Sequence, residues 1–187
     1  MLTLLVISIA AGCDRSEPRL APLTREHLDD VKTVFNGGTG GPRMVVFFSS
    51  GCASCDTASA ALNERLGRLD VSTTVLAVWE PIKPADPPPT AHMVGNLKDK
   101  RILQLWDPSH IMSDEMRAAE LAHPGSPSQA RTRTDSSPTG IMYDTAGLFA
   151  PSARWDATLP APDYLEVGVE AILDDLLQRV AAMGRTK

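Results

Sequence analysis

Cysteine is scarce in this chain, with 3 among 187 residues. So few exclude a small scaffold stapled by disulfides, and the odd number leaves at least one thiol unpaired, modified or shared with another molecule. Aromatic residues are also few, at 5%. No apolar run approaches the roughly 20 residues that a membrane-spanning helix takes. Positive charge does not dominate either: with 18 Lys+Arg against 23 Asp+Glu and a net charge of -5, the chain lacks the basic footprint of a nucleic-acid-binding protein. What it does have is 43% hydrophobic and 22% charged residues, the balance of one folded domain with a sizeable core.

The first cysteine closes a short apolar run. Leu2 to Ala11 lead into Gly12-Cys13, and the polar stretch Asp14-Arg15-Ser16-Glu17 follows at once. That length suits the apolar segment of a secretory signal, with small residues at the cleavage point. Ala10-Ala11-Gly12-Cys13 resembles a bacterial lipoprotein box, which implies that Cys13 is lipidated and becomes the new N-terminus. No Lys or Arg precedes the run, which departs from the usual pattern. The expected organisation is a signal at 1–12, a lipidated tether at 13–23 and a folded domain over 24–187 facing the periplasm or exterior.

Within that domain Thr24 can cap a helix whose apolar face is Leu28, Val31, Val34 and Phe35 and which Gly37-Gly38 would stop. Met44-Val45-Val46-Phe47-Phe48 is a continuous apolar run of strand length, suited to the centre of a sheet covered on both faces. It feeds directly into Ser49-Ser50-Gly51-Cys52-Ala53-Ser54-Cys55 and then a helix over Asp56 to Leu66. The Cys-x-x-Cys spacing at a helix start puts both sulfurs on one face. Free backbone N–H groups and the helix dipole there favour a thiolate at the exposed Cys52, the expected nucleophile, with Cys55 as the resolving thiol. The same dithiol has other uses. A structural zinc site normally takes four ligands, and there is no second pair, while His27, His92, His110 and His123 have no ligand spacing. Copper handling by Cys52 and Cys55 with His110, or a purely structural disulfide in a binding module, stay open.

Ser72 to Trp79 is β-rich and completes a βαβ unit. Ser137-Pro138-Thr139 opens a segment running to Phe149 that is expected to be a strand, a turn and a second strand returning as a hairpin. Asp163 to Met183 carries Leu165, Val169, Ile172, Leu173, Leu176, Leu177 and Val180 at helical spacing. Taken together, these residues resemble the thioredoxin-like proteins, of the membrane-anchored extracytoplasmic thiol-disulfide oxidoreductase kind. The resemblance implies an α/β fold, a central mixed sheet flanked by helices with an insertion at about 81–137. It implies that Cys52 and Cys55 are the redox dithiol and that Pro138 is a cis-proline beside it. Ser137, Pro138 and Thr139 would then hold the substrate backbone. It implies protein thiols and disulfides as partners, a membrane redox partner for regeneration, no cofactor and no resident metal.

Three departures stand beside it. No tryptophan precedes Cys52, where thioredoxin has one; Asp56 follows the dithiol in place of a cation; and Val46 occupies the position of thioredoxin's buried acid. Glu80, directly after the Ser72 to Trp79 strand, is the candidate replacement acid, because parallel strands end at one edge of a sheet. In the insertion, Pro81 to Pro89 forms a loop, Ala91 to Lys100 a helix, Arg101 to Trp106 a strand, Asp107 to His110 a turn and Met112 to Ala122 a helix. Trp79, Trp106, Trp155 and His110 are expected in core or rim packing ahead of a partner groove.

Overall fold

The computed structural model describes residues 20–38, 40–123 and 140–185, and these contain five strands and five α-helices. The order is α1 (Leu28–Gly37), β1 (Arg43–Phe48), α2 (Ala53–Gly67), β2 (Thr74–Trp79), α3 (Ala91–Asn96), β3 (Ile102–Trp106), α4 (Ile111–Ala122), β4 (Thr145–Phe149), β5 (Tyr164–Val167) and α5 (Val169–Arg185). A single 3-10 turn, Arg25–His27, precedes α1. The strands form one mixed sheet in the order β3-β2-β1-β4-β5. β1, β2 and β3 run parallel, while β4 is antiparallel to β1 and to β5. The expected α/β architecture, a central mixed sheet flanked by helices, is therefore the one observed.

β1 sits at the centre because every one of its residues can be buried. Alternate side chains serve opposite faces, as a pleated strand requires. Met44, Val46 and Phe48 pack with Trp79 and with Leu62, Leu66, Leu173 and Val180 from α2 and α5. Val45 and Phe47 pack with Phe35 of α1 and with Met112 and Met116 of α4. Arg43 is buried at the sheet's other end, and its guanidinium donates to the carbonyls of Phe35 at 3.0 Å and of Gly38 and Ala150 at 3.3 Å. The tryptophans belong to the core: Trp79, Trp106 and Trp155 are all buried.

The structure corrects several expectations. Residues 140–143 form no strand, so the hairpin expected from Pro138 onward does not form. β4 begins at Thr145 and pairs with β5 instead. The final helix is also shorter than its apolar spacing suggests. Tyr164–Val167 is a strand, and Gly168 takes the left-handed conformation at φ +83° before α5 starts. α3 ends at Asn96, because the Asn63 side chain captures the N–H groups of Lys98 (2.6 Å) and Asp99 (2.9 Å). Within residues 81–123 lie the edge strand β3 and the covering helix α4. Pro22 bridges Trp106 in parallel fashion, and the Leu23 N–H donates to the Trp106 carbonyl at 2.6 Å, so these two residues pair with the sheet. Val34 is exposed on α1 and absent from its buried face. Cys13, Ser137, Pro138 and Thr139 lie outside the described residues. Among those that are described, no helix is long and apolar enough to cross a membrane.

Candidate active site

Parallel strands bring their C-terminal ends to one edge, and an antiparallel neighbour begins there. The chain gathers its chemistry at that edge: Ser49 to Cys55 after β1, Glu80 after β2, Asp107 to His110 after β3, and Asp144 before β4.

Cys52 is the N-cap residue of α2, with extended backbone at φ -109° and ψ 113°. It is partly exposed, whereas Cys55, one turn on, is fully buried, and both are free thiols. Burial pushes the Cys55 thiol well above its ordinary range. Its hydrogen bond to Cys52 and the negative charge of Asp144 push the same way, and the backbone of Ser49 acts in the opposite direction. Cys55 therefore holds its proton and offers it to Cys52, which is the polarity expected of an exposed nucleophile backed by a resolving thiol. Ser54, exposed between them, places its Oγ 3.1 Å from Cys52 Sγ and 3.5 Å from Asp144 Oδ2.

Asp144 belongs to no local motif in the sequence. It takes the left-handed conformation at φ 49°. Its Oδ1 accepts from the Val169 N–H at 2.9 Å, capping α5, and its carbonyl accepts from the Gly168 N–H at 2.6 Å. With Ser54, Gly168, Glu170 and Ala171 it lines a cavity of about 310 Å³ beside the dithiol. Only the register of β4, invisible in the sequence, brings it there.

Glu80 lies at the predicted edge and is completely buried. Its backbone N–H donates to the Phe48 carbonyl at 2.8 Å. Its carboxyl accepts from Ser113 N (3.2 Å) and Ser113 Oγ (2.6 Å) and lies 3.1 Å from His110 Nδ1. Burial pushes this carboxyl up to about 9, Ser113 pulls it down, and Asp107 raises it further. Asp107 Oδ1 is buried without a hydrogen-bond partner, and its Oδ2 accepts from the Met112 N–H at 2.7 Å. These contacts put the Glu80 carboxyl on the α4 face, whereas Cys55 belongs to the core of the α2 and α5 face.

The flanks of the dithiol explain two departures noted in the sequence. A Cβ on Gly51 would lie 2.6 Å from Asp86 Oδ2, so the loop that follows β2 fills the space a tryptophan would need. Asp86 is anchored there by the N–H groups of Ile82 and Lys83, each at 2.9 Å. Asp56 faces α3, where Asn96 Nδ2 donates to it at 2.9 Å and His92 Nε2 lies 3.7 Å away. Its charge is directed toward α3. No three His, Cys, Asp or Glu side chains among the described residues are grouped to hold a metal ion, and His110, considered as a copper ligand, is engaged with Glu80.

No protein-family model matches the chain, and no curated protein does. Among solved structures, the chain is similar to the solution structure of a thioredoxin-like protein in the oxidized form, at 17% identity and a TM-score of 0.51, over 86% of this chain and 84% of that one. It also aligns with BsSco, a member of the Sco family of cytochrome c oxidase assembly proteins, in a study of its disulfide switch. That match has 17% identity and a TM-score of 0.45, over 79% of this chain and 82% of that one. With the sheet order, the helices on both faces and the Cys52-x-x-Cys55 pair at the head of α2, the first of these likenesses shows the fold: it is thioredoxin-like.

Proposed function

We propose that the protein is a thiol-disulfide oxidoreductase that exchanges disulfides with other proteins through Cys52 and Cys55. The observation that carries this reading is the asymmetry of the pair. Cys52 is partly exposed at the N-cap of α2, and Cys55 is buried one turn inside the same helix. A Cys52 thiolate attacks a partner disulfide, giving a mixed disulfide, and Cys55 then attacks Cys52 and releases the partner. The N-terminal Ala10-Ala11-Gly12-Cys13 supports a lipid-anchored protein working outside the cytoplasm, regenerated by a membrane redox partner. In the same reading, the backbone at Ser137-Pro138-Thr139 receives the partner chain.

Cys55→Ser tests the exchange reading. The variant should accumulate mixed disulfides at Cys52 under oxidising conditions, recovered on non-reducing gels and located by mass spectrometry. Cys52→Ala in the same background should abolish them. Absence of adducts in Cys55→Ser overturns the reading. A redox titration of the pair then assigns the direction, since reductant and oxidant use the same residues and differ in potential.

A further inference from the structure

We propose that Ser54 and Asp144 form a proton relay for Cys52, with the Ser54 hydroxyl as the bridge and the Asp144 carboxylate as the acceptor. The proposal rests on the exchange reading above and adds the groups that activate its nucleophile. The geometry is a short chain: Cys52 Sγ to Ser54 Oγ is 3.1 Å, and Ser54 Oγ to Asp144 Oδ2 is 3.5 Å. A hydroxyl has one proton to give and lone pairs to receive another, so Ser54 donates to Asp144 while accepting the Cys52 thiol proton. The other oxygen of Asp144 is held by the Val169 N–H, which keeps the carboxylate aimed at Ser54. On the far side, Cys55 supplies a hydrogen bond to the sulfur as it becomes a thiolate.

The step balances without an added reagent. The Cys52 proton passes to Ser54 Oγ as the Ser54 proton passes to Asp144 Oδ2, leaving a thiolate and a carboxylic acid with no change in net charge. The thiolate attacks one sulfur of the partner disulfide. A Cys52–partner bond forms, the partner S–S bond breaks, and its electron pair leaves on the second sulfur, which takes up the proton held by Asp144 and restores the carboxylate. Cys55 then forms the Cys52–Cys55 bond and the remaining partner sulfur departs with the Cys55 proton. The partner gains two electrons and two protons, and the dithiol loses them.

Among the described residues, the charged groups nearest this short chain can be named. Glu170, at the start of α5, shares its cavity; Asp86 borders Gly51; and Asp56, with His92, lies toward α3. Glu170 is therefore the control.

The test uses the full chain with Cys55→Ser, so that only the first attack occurs. Dithiobis(nitrobenzoate) is the probe, because its thiolate leaves without needing a proton, and adducts are scored by mass spectrometry at Cys52 so that Cys13 does not contribute. The rate plotted against pH should show two steps, the behaviour of two groups that share a proton. Ser54→Ala and Asp144→Asn should each leave only the alkaline step. Each should lower the rate at pH 7 on the order of a hundredfold. The double variant should be no slower than the slower single one, because both remove one chain. Glu170→Gln should keep both steps.

Asn retains an oxygen for the Val169 N–H and tolerates the left-handed backbone, and Ser54 is exposed, so at least one variant reports on the intact fold. A carboxylate acting only as a fixed charge would oppose the thiolate. A faster Asp144→Asn therefore overturns the relay, as does an unchanged rate, a rate loss in the double variant equal to the product of the two single losses, or loss of the acid step in Glu170→Gln alone. If the Cys55→Ser parent forms no adduct at any pH, the exchange reading itself fails and the relay with it.

Discussion

Two carboxyl groups stand at the same edge of the sheet, and they differ in almost every physical respect. Glu80 is wholly buried on the α4 face, hydrogen-bonded by Ser113 and His110 and held protonated by burial up to about 9. Asp144 is half-buried on the α2 and α5 face, lines a cavity and reaches the dithiol through Ser54. The difference comes from strand parity. Glu80 follows Trp79, whose ring lies in the core with Cys55, so the next side chain turns to the other face. Position along a strand brings a residue to the edge, and the pleat then decides which face of the sheet it serves.

Glu80→Gln should give the largest departure in the response of stability to pH. The folded chain keeps the Glu80 proton up to about 9, whereas the unfolded chain releases it near the ordinary 4.5. The folded form thus binds more protons across that window. Stability from this group is complete below about pH 4.5, falls by about 1.4 kcal/mol per pH unit as pH rises, and levels off above 9. Gln holds no such proton, so the variant's denaturation free energy, followed by chemical denaturation at successive pH values, should lose that slope. A slope equal to that of the unmodified protein would break the contrast between the two acids.

Asp144→Ala should have a smaller effect, nearly independent of pH. It removes the acceptor for the Val169 N–H and leaves a left-handed residue without the side chain that favours it. The expected cost is about 1–2 kcal/mol, read as a lower denaturation midpoint. Hydrogen exchange should rise at the first turn of α5 and not in α4; protection lost equally in both would show that the two faces are not separable. Gly51→Ala sharpens the comparison least, at about 1 kcal/mol, because its Cβ collides with the Asp86 carboxylate. Asp86→Ala should restore most of that loss, and a failure to do so would place the strain in the Gly51 backbone.

Much of this arrangement was legible in the sequence because it depends on local pattern. An apolar run as dense as Met44 to Phe48 has few destinations other than a central strand, and the Cys-x-x-Cys that follows it must then fall at a sheet edge beside a helix start. Glu80 was placed at the correct edge by the same reasoning. Its face, its protonation and its union with Asp107 and His110 depend on α4, which packs from a distant part of the chain. Tyr164 to Val167 was hidden because Leu165 and Val169 fit a helical spacing as well as a strand followed by a turn. It is Gly168, at φ +83°, that separates the two. Asp144 was missed because its significance comes from the pairing of Thr145 with Phe47, a long-range register that no local pattern records.

The bridge between Pro22 and Trp106 also bears on the exposed side of the sheet. β3 is an edge strand, and such edges offer unpaired backbone groups to any other chain. The Leu23 N–H occupies the Trp106 carbonyl, and Pro22 brings no N–H with which a further strand could continue the ladder. The residues just ahead of the domain thus act as a stop on lateral growth of the sheet, placed at the end of β3 from which Asp107 and His110 emerge.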